Sequence, residues 1–161
     1  MRAWLRGHWT WMNPQRRSIA DALGIGFAHP DDAQHDADVV LHTSGSPDGL
    51  SLALRLAAFE AVICECSWYG DRSVLIPLGE SFHSRRLTLK SSQVGSVATS
   101  HRSRWTLRRR MELTLALLSD PKVDVLINSE GTLEELPHVM QRLATQPGDT
   151  LMHRVTYGIA T

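Results

Sequence analysis

The stretch Ala37–Asp71, ADVVLHTSGSPDGLSLALRLAAFEAVICECSWYGD, leaves this chain few folds to choose from. It opens on the apolar run Val39-Val40-Leu41 and turns at Thr43-Ser44-Gly45. Ser46 stands where a helix N-cap would stand. Pro47 takes the first helical position, where a missing N–H costs nothing. Leu50, Ala53, Leu54, Ala57 and Ala58 then repeat at helical spacing. A second apolar run, Ala61-Val62-Ile63-Cys64, ends in the polar cluster Ser67-Trp68-Tyr69-Gly70-Asp71. Strand, helix and strand on short connections make a βαβ unit, which lays two parallel strands in one sheet by a right-handed crossover. In open α/β sheets ligands bind beyond the carboxyl ends of the strands. Thr43-Ser44 and Glu65-Cys66-Ser67 are therefore the first places to look for function.

The flanking chain supplies matching pieces. Asn13 and Pro14 predict a helix start and Gly24 its end, with Ile19, Ala22 and Leu23 on the inner face. Ile25–Phe27 is a short strand and His29–Asp38 an acidic loop. Ser73–Leu78 reads as a strand whose Pro77 argues for an edge position or a strand end. Gly79–Arg86 is a turn or short helix, and Leu87–Ser92 a further strand. Arg102–Asp120 predicts a long helix with Leu107, Met111, Leu115 and Leu118 inward. Val123–Ile127 reads as a strand. Thr132–Glu135 carries a capping-box pattern before a helix whose inner face is Leu136, Met140 and Leu143. Leu151–Tyr157 is a last strand after the turn Gln146–Asp149. Residues 1–12, with Trp4, Trp9 and Trp11, follow no clean period.

The length of 161 residues suits one domain with a real core. The formal net charge is zero, so the basic cluster Arg102–Arg110 reads as a solvated helix face before it reads as a nucleic-acid footprint. No apolar run is long enough to span a bilayer, and the N-terminus lacks the apolar core of a secretory signal. Cys64 and Cys66 fall on one face of a strand as reduced thiols, which predicts a cytoplasmic location. His29 and His35 share a loop with Asp31, Asp32 and Asp36, yet no zinc-type spacing is present. No Ser/His/Asp or Cys/His set stands out by spacing.

The segments NPQRRSIADALG, ADVVLHTSGSPDGLSLAL, CECSWYGD, SVLIPLGESFHSRRLTLKSSQVGS and HRVTY, in that order, resemble the cofactor-binding half of zinc-containing medium-chain alcohol dehydrogenases. The resemblance runs from Asn13 to the C-terminus. It implies an α/β fold, an incomplete Rossmann-like parallel sheet flanked by helices, with residues 1–12 atypical and 13–161 forming the NAD(P)-binding domain. It also implies binding of a nicotinamide dinucleotide, NAD or NADP. Thr43, Ser44 and Gly45 match the family's fourth strand end, Glu65, Cys66 and Ser67 its fifth, and Ser91, Ser92 and Gln93 its sixth. Arg154 is similar to a basic residue that reaches the pyrophosphate. Arg16 and Arg17 stand where a basic residue favours the NADP 2′-phosphate, and a solvated helix start explains them equally well. Ser73–Leu78 resembles the edge through which members form a homodimer.

Departures accompany the likeness. The family's zinc-binding catalytic domain, its first strand and its GxGxxG loop have no counterpart in this sequence. The acid expected near Trp11 for the ribose hydroxyls is missing as well. The expectation is a truncated cofactor-binding domain without turnover of its own. A non-catalytic nucleotide-binding or dimerisation module is the alternative. Residues 1–12 are then an out-of-frame or misassigned start (a hypothesis); an uninterrupted upstream reading frame that still encodes them would refute the frame-shift version. Lost pairing next to the first strand would be met by Gly7–Met12, by a partner chain, or by a loosely held N-terminal third.

Overall fold

The computed structural model describes residues 7–158. They fall into two compact units, one built from the chain up to Phe27 and from Arg108 onward, the other from Ala28–Leu107.

The Ala28–Leu107 unit contains the βαβ core. Strand β3 (Ala37–His42) leads through a short turn into helix α2 (Pro47–Leu56), and β4 (Ala57–Glu65) follows without a linker. Helix α3 (Glu80–Ser84) and β5 (Thr88–Ser91) complete it. The three strands lie side by side in the order β3-β4-β5, all parallel, with Val40 opposite Ile63 and Ile63 opposite Leu89. Ser46 caps α2 as expected, its side chain accepting from the Gly49 N–H. The helix buries Leu50, Ala53 and Leu54 against Ala57, Ala61, Ile63 and Leu87. Alternation along β3 turns Val40 toward this core and leaves Val39 60% and Leu41 67% exposed. Within this unit α2 packs on the sheet face that carries Val40 and Ile63.

Two features of β4 were not legible. It starts at Ala57, directly after α2, where Ala57 and Ala58 continue the helical spacing. Its register against β3 slips between the pairs Ala37–Ala57 and Val39–Val62. Glu60, inside that irregularity, takes a left-handed φ of 59°, its N–H bonded to the Arg85 carbonyl and its carboxylate 3.1 Å from Arg86.

The other unit holds β1 (His8–Thr10) and β2 (Gly26–Ala28), which pair with each other, and α1 (Arg17–Leu23) between them. Gly24 closes α1 at φ 70°, a left-handed conformation that suits a residue without Cβ. Helix α4 (Leu107–Leu118), strand β6 (Ile127–Thr132), helix α5 (Leu136–Thr145) and strand β7 (Met152–Thr156) follow. β6 and β7 are parallel neighbours. Asp149, in the turn before β7, accepts from Asn13, Arg16 and Asn128 and so ties the turn to the start of the chain's first helical segment and to β6.

Several sequence expectations are corrected here. Ser73–Leu78 forms no strand, so the edge expected to support a homodimer is not built. The segment follows a turn in which the Arg72 N–H donates to the Tyr69 carbonyl, and Pro77 has no N–H to give a strand ladder. Val123–Ile127 is not a strand either: Asp120 caps the tight turn Pro121–Leu126, and β6 starts only at Ile127. α4 is shorter than Arg102–Asp120, and Leu107, Met111, Leu115 and Leu118 are each more than half exposed. The capping box is half formed: Glu135 reaches back to the Thr132 N–H at 2.8 Å, while α5 begins only at Leu136 and leaves Met140 exposed. Among the described residues the hydrogen-bonded strand sets are β1-β2, β3-β4-β5 and β6-β7. Among the described residues no helix is long and apolar enough to cross a membrane.

Candidate functional site

Parallel pairing in register brings the carboxyl ends of β3, β4 and β5 to one edge. His42 lies opposite Glu65, and Glu65 opposite Ser91. The ladder continues past the strands, since the Cys66 N–H donates to the His42 carbonyl and the Ser92 N–H to the Glu65 carbonyl, both at 2.8 Å. Thr43, Ser44, Gly45, Glu65, Cys66, Ser67, Ser91 and Ser92 are thereby gathered at one edge, with Gln93 next along the chain. Thr43, Ser44, Cys66, Ser91, Ser92 and Gln93 are exposed there.

Beneath the exposed hydroxyls lies a polar array that spacing did not reveal. His42 is 6% exposed and uses both ring nitrogens. Its Nδ1 lies 2.7 Å from Glu65 Oε2, and its Nε2 lies 2.7 Å from Ser44 Oγ. Glu65 Oε2 also accepts from the Tyr69 hydroxyl at 3.3 Å, and its Oε1 accepts from the Ser67 N–H at 2.7 Å. The Ser67 hydroxyl accepts in turn from the Gly45 N–H at 2.9 Å. Ser44 Oγ accepts from the Ser46 N–H at 3.2 Å, next to the amino end of α2. The turn after β3 and the turn after β4 are in this way bonded to each other.

The electrostatics follow from these contacts. Burial alone would raise the Glu65 pKa. The hydrogen bonds from His42 and Ser67, with the attraction of His42, outweigh it and hold the carboxyl below its ordinary 4.5. Glu65 is therefore a carboxylate at neutral pH and can only accept, so a neutral His42 imidazole carries its hydrogen on Nδ1 and presents Nε2 as an acceptor to Ser44. Burial first, then the Glu65 charge and its hydrogen bond, push the Tyr69 hydroxyl up. Burial and the neighbouring Cys64 likewise raise the Cys66 thiol. The two sulfurs are 3.9 Å apart and both cysteines are free.

Gly49 has a role beyond turning. A Cβ there would sit 2.4 Å from Ser44 Oγ and 2.8 Å from His42 Nε2. The second glycine of Gly45-Ser46-Pro47-Asp48-Gly49 is thus where α2 approaches the Ser44–His42 pair without a side chain between them.

The basic candidates belong to the other unit, and each is engaged. Arg16 is buried, donates to the Asp149 carbonyl at 2.7 Å and lies 5.1 Å from the centre of the Trp11 ring. Arg17 is exposed and stacks 4.8 Å from the Phe27 ring centre. Arg154 pairs with Glu130 across the β6–β7 register. The same unit has an open depression of about 390 Å³ bordered by Ser129, Glu135, His138, Arg142 and His153. His153 Nδ1 is 2.8 Å from Ser129 Oγ there. Among the described residues no group of three or more His, Cys, Asp or Glu side chains could hold a metal ion.

Sequence reasoning found the strand ends but missed His42, Tyr69 and the need for Gly49. The usable signal was a histidine closing one predicted strand and a glutamate closing its parallel neighbour.

No protein-family model matches the chain, and neither does any curated protein. Solved structures do match. An alcohol dehydrogenase from Thermotoga maritima superposes with a TM-score of 0.70 at 13% identity, over 94% of this chain and 43% of its own. The L-idonate 5-dehydrogenase of Escherichia coli gives 0.68 at 12% identity, over 92% and 42%. The YhdH oxidoreductase of Salmonella enterica, solved in complex with NADP, gives 0.63 at 14% identity, over 94% and 46%. The chain spans less than half the length of each. At these identities the likeness concerns the fold: the chain has the α/β architecture of the Rossmann-like half of alcohol dehydrogenases of the zinc-dependent type.

Proposed function

We propose that residues 13–161 bind a nicotinamide dinucleotide, NAD or NADP, as the cofactor-binding part of an oxidoreductase of the zinc-type alcohol dehydrogenase kind. The observation that carries this reading is the shared polar edge of β3, β4 and β5. Ligands of open parallel sheets bind at such edges. The donor set suits the ribose and carboxamide end of the cofactor: Thr43, Ser44, Ser91 and Ser92 offer exposed hydroxyls, while Glu65 and Ser67 fix the turns that present them. The cofactor when bound supplies the hydride acceptor or donor; this chain's residues hold and orient it. The fold shared with a structure that contains NADP supports the same assignment.

The donor set does not suit catalytic zinc, because among the described residues no cluster of potential ligands is present. We propose cofactor binding without dehydrogenase turnover for this chain by itself, and a non-catalytic nucleotide-binding role is the second reading that the same polar edge favours. The free Cys64–Cys66 pair supports a reducing, cytoplasmic compartment.

Thermal melting with increasing NADH and NADPH tests the assignment. A ligand that binds only the folded chain raises the midpoint by mass action, by about 2.7 kcal/mol of stability at a hundred times its Kd. A cooperative melt that neither cofactor moves would overturn the proposal.

A further inference from the structure

The hydrogen-bonded series Ser44–His42–Glu65 is more than a brace for two turns. The hydroxyl of a serine at an exposed position, a buried imidazole and a carboxylate are joined end to end by two contacts of 2.7 Å. That is the order of groups that activates a serine for acyl transfer, and such sets are recognised by geometry and roles, independent of chain order. The geometry points to Ser44 as a nucleophile toward small activated esters and phosphonylating reagents, with His42 as its base and Glu65 as the residue that positions His42. This activity uses the same edge as the proposed cofactor site but requires no cofactor.

Each part has a physical basis on this edge. Ser44 is at an exposed position two residues past His42, the last residue of β3, and so lies at the carboxyl end of the sheet. His42 cannot turn away, since both its nitrogens are bonded and it is 6% exposed. Three donors converge on Glu65, which keeps the carboxylate aimed at Nδ1. Gly49 places no side chain over the pair. The Ser46 N–H donates to Ser44 Oγ at 3.2 Å at the amino end of the ten-residue α2, where the helix terminus favours negative charge developing on that oxygen.

The step balances without a further reagent. The Ser44 hydroxyl proton passes to His42 Nε2 as Oγ bonds to the ester carbonyl carbon. The bond from that carbon to the alkoxy oxygen breaks, and the leaving alcohol takes the proton from His42. Water then attacks the acyl-serine carbonyl as His42 accepts its proton, the bond from that carbon to Ser44 Oγ breaks, and His42 returns the proton to Oγ as the acid is released. 4-Nitrophenolate leaves far more readily than a serine alkoxide, so acylation outruns hydrolysis of the acyl-serine and 4-nitrophenyl acetate gives a burst of one equivalent.

The test uses the folded chain with a fluorophosphonate probe and with 4-nitrophenyl acetate, read by intact mass and peptide mapping after a cooperative melt has been verified. The expected result is one adduct, on Ser44, with Ser84 unlabelled. Ser44→Ala abolishes it. His42→Gln slows it by about a hundredfold, the scale of lost general-base assistance. Glu65→Asp, which keeps a carboxylate, labels faster than Glu65→Gln, a rescue that a purely structural role for the side chain would not give. Absence of an adduct on folded wild-type chain, an adduct placed elsewhere, or Ser44 labelling at the wild-type rate in folded His42→Gln overturns the inference. Comparison of Ser44 with Ser84 in the wild-type chain decides the matter even where a variant fails to fold.

Discussion

Replacing Gly49 by Ala separates two effects that act in opposite directions. Gly49 lies in the first turn of α2 at an ordinary helical φ, so alanine should favour the helix by about 0.5–1 kcal/mol. The added methyl, however, would stand 2.4 Å from Ser44 Oγ and 2.8 Å from His42 Nε2. Neither atom can yield cheaply, because each is held by the hydrogen bond to the other and His42 is also bonded to Glu65. Forcing a methyl into packed space of this kind costs about 1–3 kcal/mol. Loss of the Ser44–His42 bond adds about 1 kcal/mol. The net expectation is destabilisation by about 1–3 kcal/mol, the packing cost exceeding the helix gain. Urea unfolding followed by tryptophan fluorescence measures it. Removing the Ser44 hydroxyl relieves the closer clash, so Gly49→Ala with Ser44→Ala should be less destabilised than the sum of the two single changes. A stabilised Gly49→Ala chain, or strict additivity in the double variant, would refute the close approach.

Burial sets a second contrast. Leu54 is 2% exposed in the α2 core and Leu54→Ala should cost about 2–5 kcal/mol. Leu115 on α4 is 58% exposed, and Leu115→Ala should stay within about 0.5 kcal/mol by the same urea measurement. The depressed Glu65 pKa fixes the sign of a pH dependence. Its contribution is complete above the unfolded value of 4.5 and is lost as pH falls from there through the lower folded value. Midpoints measured from about pH 7 down to about pH 3 should therefore show an acid-side loss that is smaller in Glu65→Gln.

The parts of the fold that could be read from sequence are those with local signals. Asn13-Pro14 and Ser46-Pro47 mark the starts of helical segments, and Gly24 marks the end of α1. Asp120-Pro121 is the same signal, but the apolar residues after it read as a strand, and the structure follows the cap instead of the composition. The entry into β4 was illegible because Leu56 passes into Ala57 with no turn residue between helix and strand. The apolar stripe of α4 gives the helix but not its burial, since periodicity reports amphipathicity and says nothing about what covers it. The strand ends were found because parallel sheets place ligands there. The Ser44–His42–Glu65 series was missed because it is a consequence of register: His42 and Glu65 are opposite each other only when β3 and β4 pair as they do. A slip of one residue would turn His42 away from Glu65.

The account rests most heavily on the edge formed by β3, β4 and β5 being the cofactor site. Titration of NADPH and NADH into the isotope-labelled chain, followed by backbone amide shifts, tests this directly. The account predicts saturable shifts concentrated at Thr43–Ser46, Cys66–Ser67 and Ser91–Gln93, with α4 unmoved. Shifts confined to α4 or to the turn at Asp149, or none at all from a well-dispersed spectrum, would contradict it.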